Sequence, residues 1–403
     1  FWLLFLGTNL TFFPMHVSGL MGMPRRVYTY PAGYGLEIWN LLSSIGAAMA
    51  AAGAAVILLD VVLHFRPRQG TKAPWDAGTL EWLDNRNHGP RSIPRVPDRY
   101  PLWTCPGFAE EVNAGGHYLP FTAAGARETL VTSPAEAKPQ YVATFADPGW
   151  ENLVAALGTC GFFLALAVGL YIPAAVFGVV ALGGFIAWHW TGTDLAPPEP
   201  DRVDIGGGIV LPTAQAGPVT TAWWASVTLM LVTGTAFACL VGTYLYLWLV
   251  NGDAMWPPPG QQAPRAGWGL AAIGFYVAAG LLVWLAALLA ARGARWRLRI
   301  LVALGVVALL AGAGANALSL WLAGIAPTSH AYASSAWAIF AWQGGHVAIG
   351  TIMGLYVLAR SLAGLLHARR RAAMDATMLF VLYTAAQGSL GLVVLLLFPR
   401  LLA

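Results

Sequence analysis

The chain has 403 residues, 58% of them hydrophobic and only 10% charged, with 22 basic and 18 acidic side chains giving a net charge of +4. With a mean hydropathy of +0.62, this composition excludes a soluble globule and predicts an all-α polytopic membrane protein. The three cysteines, Cys105, Cys160 and Cys239, are odd in number and far apart, which predicts free thiols and excludes a disulfide framework or a CxxC metal site.

The first thirty-one residues run from an apolar segment through Asn9, Pro14 and His16 to Met23-Pro24-Arg25-Arg26 and Tyr30-Pro31. No initiator Met and no charged n-region precede the apolar run, so no signal peptide is read. The expectation is a chain that starts in mid-element, cut from a longer polypeptide or preceded by a separate one. Runs long enough to cross a hydrocarbon core of roughly 30 Å number about nine. They lie near Phe1–Leu20, Trp39–Phe65, Asn152–Tyr171, Ala174–Trp190, Ala222–Val250, Trp268–Ala291, Ile300–Ala323, Ser335–Leu358 and Thr377–Phe398. The fourth is short, and Ile172-Pro173 separates it from the third as a tight helical hairpin.

Three regions follow: two helices over 1–65, a polar segment over 66–148, and seven helices over 149–403. The last region divides into two helices at 149–190, a loop at 191–221 and five helices at 222–403. Segment 66–148 holds eleven of the 26 prolines, with nine basic and nine acidic residues, too little apolar periodicity for its own core. It is expected to lie as an extended strap. Gly206-Gly207-Gly208 lacks the spacing of a phosphate loop and reads as a turn. Placing the Arg25-Arg26 turn outside puts eighteen of the 22 basic residues inside, leaving Arg25, Arg26, Arg265 and Arg400 outside. That placement satisfies the positive-inside preference and makes 66–148 cytoplasmic.

Adjacent arginines at a Pro-bounded turn offer two rigid forks of donors to a carboxylate or phosphate at the water boundary. Lipid headgroup anchoring explains the same residues by composition alone. The eight histidines include no pair at i, i+3 or i+4, which argues against a haem or copper site built on one helix. His64 and His367 fall at helix ends, and His16 reads as a hydrogen-bonded structural residue. No acid lies in the middle of any span; Asp60 is in the last turns of the second, and Glu37, Glu151 and Asp375 sit at ends. A secondary transporter built around a midplane site is disfavoured accordingly. Gly350-Thr351-Ile352-Met353-Gly354 is a GxxxG suited to close helix packing.

The string Asn9-Leu10-Thr11-Phe12-Phe13-Pro14-Met15-His16, Gly19-Leu20, Gly22-Met23-Pro24-Arg25-Arg26, Tyr30-Pro31, Trp39-Asn40 and Ser43-Ser44-Ile45-Gly46 resembles the end of subunit I of haem-copper cytochrome c oxidases. It corresponds there to the last two helices and the turn between them. The resemblance implies that Arg25 and Arg26 hold haem propionates, while Thr29 stands where many members have an acid. Trp223-Trp224, Thr243-Tyr244-Leu245-Tyr246-Leu247, Trp256-Pro257-Pro258-Pro259-Gly260, His330-Ala331-Tyr332 and Gln343-Gly344-Gly345-His346-Val347 resemble subunit III of the same family. Here Gly234-Thr235-Ala236-Phe237 replaces the usual membrane carboxylate, so no proton role tied to that carboxylate carries over.

Together the resemblances imply a fused subunit I/III polypeptide with its N-terminal part missing, in a bacterial plasma membrane. They imply an oxidase that passes electrons from cytochrome c to oxygen, forming water, and pumps protons. Haem a and copper would belong to the complete complex and would not be ligated by this chain. The implied partners are the rest of subunit I, subunit II, cytochrome c and membrane phospholipids, with no nucleic acid. A quinol oxidase of the same superfamily and a non-catalytic membrane scaffold or transporter stand as alternatives.

Overall fold

The computed structural model describes residues 1–64, 75–83, 96, 98–114, 128–133, 135–144, 149–192, 202–213, 217 and 220–401. Much of the polar segment 66–148 and of the loop 191–221 lies outside the described residues. The chain divides into two compact units, Phe1–Asp84 with Arg99–Pro106, and Asn85–Asp98 with Gly107–Ala403.

In the first unit, α1 (Trp2–Leu20) and α2 (Glu37–His64) form a hairpin of two apolar helices. They meet on glycines. A Cβ at Gly7 would lie 2.5 Å from Ala50 N, one at Gly46 would overlap the backbone of Leu10 and Thr11, and one at Gly53 would crowd Leu3 and Leu4. Contact numbers rise along α2 as they fall along α1, so the pair is antiparallel, its backbones brought close by the missing side chains. The same unit clasps two short stretches: α3 (Pro101–Thr104) sets Trp103 Nε1 2.8 Å from the Asp76 carbonyl. The Trp103 ring fills the space over Gly78, and Leu102 N donates to the Gly78 carbonyl at 3.1 Å.

The second unit begins with α4 (Phe108–Asn113) and an antiparallel hairpin of β1 (Glu128–Thr132) and β2 (Pro139–Thr144). Segment 66–148 is therefore more than an extended strap, because Phe108, Val112 and Val142 are buried. Strand β2 lies against residues 210–212, outside the segment, a contact that its own periodicity does not disclose. A second hairpin, β3 (Arg202–Asp204) with β4 (Val210–Pro212), turns on Gly206, Gly207 and Gly208. All three have positive φ, at 99°, 64° and 76°, so the triple glycine is the turn read from sequence.

The long helices of this unit are α5 (Glu151–Ala167), α6 (Tyr171–Gly192), α7 (Thr221–Asn251), α8 (Ala266–Ala291), α9 (Arg295–Trp321), α10 (Ala331–Leu362) and α11 (Ala372–Leu401). Among the described residues, eight helices of the chain are long and apolar enough to cross a membrane, and α5, at 17 residues, is the shorter ninth. The expectation of a short fourth span is corrected: the turn is Val168-Gly169-Leu170 and Pro173 lies inside the first turn of α6. Proline is tolerated there because the N–H it lacks has no intrahelical acceptor.

Helices α7 to α11 make a five-helix bundle. On α8 the buried positions Ala272, Tyr276, Ala279, Val283, Ala286 and Ala290 alternate steps of four and three residues. That is the heptad spacing of a seam along which a helix packs on its neighbours. On α10 the GxxxG faces α9, where a Cβ at Gly354 would lie 2.5 Å from Val306 Cγ2 and one at Gly350 3.0 Å from Leu309. Gly354→Ile is expected to destabilise the bundle by about 1–3 kcal/mol through overpacking, read as a lower thermal midpoint of the native protein in detergent. Gly344→Ile, on the same helix with nothing within 4 Å of its Cβ, should leave the midpoint near wild type.

Candidate functional site

The candidate site is the connection between α1 and α2. Helix α1 ends in paired bonds, Met23 N to Ser18 O and Gly22 N to Gly19 O, both 3.0 Å, with Gly22 at φ 92°. This left-handed glycine stop reverses the chain and satisfies the last carbonyls. The return is anchored by buried Leu36 and by Glu37, whose Oε1 accepts from Gly33 N at 2.8 Å. Asn40 Nδ2 donates to the Leu36 carbonyl at 2.9 Å and reaches Met23 Sδ at 3.6 Å, tying the start of α2 to the end of α1.

Arg25 and Arg26 lie in this tethered turn, both exposed. Arg26 has φ 61°, a left-handed conformation uncommon outside glycine. Among the described residues no acidic side chain pairs with either guanidinium, and the nearby carboxylate of Glu37 is engaged by Gly33. Each guanidinium carries five donors in a planar fork and cannot be deprotonated at ordinary pH. The donor set therefore fits two or more carboxylates, the chemistry of haem propionates.

His16 Nδ1 lies 3.0 Å from the Phe12 carbonyl, a bond within its own helix. His64 Nδ1 lies 2.9 Å from Asp60 Oδ1 on exposed α2. His330 caps α10 by accepting from Tyr332 N at 3.2 Å. No group of three or more potential metal-ligating side chains occurs among the described residues.

Away from the turn, the motif residues singled out in the second unit meet one another. Trp256 packs against Tyr244 and Tyr332 at centroid distances of 5.0 and 5.3 Å. Gln343 donates to the Thr384 carbonyl at 3.0 Å and accepts from Gln387 Nε2 at 3.1 Å, a buried polar link between α10 and α11. His346 bonds the Trp342 carbonyl at 2.9 Å and stacks on Phe380. Gln387 went unnoticed in the sequence, since the spacing of one helix does not say which neighbour its polar residue faces.

An apolar chain of many long helices, whose first helical hairpin presents two adjacent arginines, is as a class a multi-pass membrane protein. Residues 1–49 match the family described as Cytochrome C and Quinol oxidase polypeptide I. Cytochrome c oxidase subunit 1 of Alkalihalophilus pseudofirmus is 48% identical over 84 residues, which are 20% of this chain and 13% of that protein. The subunit 1 of Bacillus subtilis is 44% identical over 108 residues, 26% of this chain and 17% of the relative. A probable quinol oxidase subunit 1 of Staphylococcus aureus is 35% identical over 129 residues, 30% and 18% respectively. The N-terminal part of the chain thus carries a C-terminal region of subunit I of the haem-copper oxidases. The chain spans between 13% and 18% of the length of these relatives.

Proposed function

We propose that this chain is part of a haem-copper terminal oxidase of a bacterial plasma membrane, in which it completes the haem pocket. The observation that carries the reading is the coincidence of the subunit I match with the tethered, acid-free arginine turn. When bound, haem a and copper supply the electron transfer that reduces oxygen to water. Arg25 and Arg26 would hold propionate carboxylates and keep two permanent positive charges beside them, favouring the reduced state of the pocket. By the bias of Lys and Arg the arginine turn lies on the outer side and 66–148 on the cytoplasmic side. We read residues 149–403 as a subunit III-like domain of two and five helices that docks on the rest of the complex, with subunit II and cytochrome c as partners and proton translocation as the coupled work.

The test is spectroscopic and kinetic, on the complex isolated from its native membrane through this chain. The expected result is a haem a signal in the reduced-minus-oxidised spectrum, with oxygen uptake driven by reduced cytochrome c. Absence of haem absorption would reject the reading in favour of a scaffold or transporter. The quinol oxidase reading is favoured by the Staphylococcus aureus relatives, whose alignments are the longest of those given above. Uptake driven by quinol and not by cytochrome c would establish it.

A further inference from the structure

The turns joining α8 to α9 and α10 to α11 surround a cavity of about 240 Å³. Its lining combines the polar side chains of Arg295, Ser361 and His367 with the apolar ones of Ala290, Leu298 and Leu366. Arg295 Nη2 lies 3.2 Å from His367 Nδ1. A guanidinium carries donors alone, so in this contact Arg295 donates and the ring nitrogen accepts. Arg299 fixes part of the lining, giving Nε to Ser361 Oγ at 3.1 Å and Nη2 to the Ser361 carbonyl at 2.6 Å.

Residues 292–299 and 360–371 hold eight arginines and no aspartate or glutamate. The buried carboxylate of Asp375 follows, but its Oδ2 accepts from Gly217 N at 2.8 Å and faces Arg371 Nε at 3.6 Å. Positive charges at this density repel one another, and Arg295 opens α9, where the helix dipole adds to the cost. The topological preference for basic loops accounts for the sign of these turns. It does not account for a cavity lined by a guanidinium and an imidazole together with leucines.

We propose that this cavity binds a phosphate group, carried by an anionic phospholipid whose glycerol and first methylenes lie along Leu298 and Leu366. Arg295 and His367 supply the polar groups that meet the phosphate. Free inorganic phosphate shares the chemistry and would use the same polar residues without the apolar ones. The site lies within the five-helix bundle and does not depend on the oxidase reading.

The experiment uses the full chain in its native complex, exchanged into nanodiscs of phosphatidylcholine with a minor fraction of phosphatidylglycerol. Tightly retained phosphatidylglycerol is then counted by mass spectrometry. Arg295→Gln should lower retention about fivefold, the effect of one basic residue near an anionic lipid. Arg265→Gln, the same charge change at the opposite end of α8, should retain as wild type. Ala368→Trp, at an exposed position on the rim, should block retention without altering charge, which separates loss of the site from loss of the fold. Displacement of retained lipid by inorganic phosphate alone would reassign the cavity to the free anion. Equal loss in Arg295→Gln and Arg265→Gln, or full retention in both Arg295→Gln and Ala368→Trp, would overturn the site.

Discussion

Arg25→Gln in the assembled complex is expected to lower the midpoint potential of the bound haem by tens of millivolts. The sign follows from charge: removing a permanent cation beside the cofactor favours the oxidised state, which carries more positive charge. A hydrogen bond to a charged group contributes about 1.5–3 kcal/mol. If about half of that differs between redox states, the shift is about 30–65 mV for one electron, at 59 mV per factor of ten. Arg25→Lys keeps the charge and loses the planar fork, so a smaller shift of the same sign is expected. Potentiometric titration of both variants checks this, and an unchanged midpoint in both would remove the propionate contact from the proposal. The tether of the turn makes the test clean, because Glu37, Asn40 and the Gly22 stop hold the loop without either arginine.

Gly46→Leu should have the largest effect on assembly. Even a Cβ at Gly46 would overlap backbone atoms of Leu10 and Thr11, and a backbone cannot swing aside as a side chain can. The cost is therefore at or above the upper end of the roughly 1–3 kcal/mol typical of overpacking. The α1–α2 hairpin would separate, and the arginine turn would lose the fixed spacing of its two stems. The comparison is Gly19→Leu on α1, where nothing lies within 4 Å of the added Cβ. The amount of chain recovered in haem-containing complex should fall sharply for Gly46→Leu and stay near wild type for Gly19→Leu. Equal recovery would mean that the glycine contact does not govern the hairpin.

These residues also show what the sequence made legible. The spans could be read because apolar run length and membrane thickness are both lengths, and one measures the other. Where a boundary depended on a single residue the reading slipped: Pro173 looked like a divider, yet it occupies the first turn of α6, where proline costs no hydrogen bond. The hairpin at 128–144 was hidden because its strands are only five and six residues long, and β2 lies against β4, which is distant along the chain. Arg25 and Arg26 could be placed at a turn because Pro24 and Pro31 bound them, and the structure sets both, exposed, in the α1–α2 connection. The Gln343–Gln387 link and the Arg295–His367 cavity were not legible, because each joins helices whose facing sides are decided only when the bundle packs.

The small-residue seam of α8, with alanine at 272, 279, 286 and 290, has a consequence for how the bundle responds to temperature. Helices that part within a bilayer exchange contacts with one another for contacts with lipid chains, and little apolar surface meets water. The heat-capacity increment that bends the stability curve of a soluble domain comes from that wetting. Separation of α8 from its neighbours should accordingly show a small increment. Its stability would then vary almost linearly with temperature, without the weakening on cooling that a water-driven core displays.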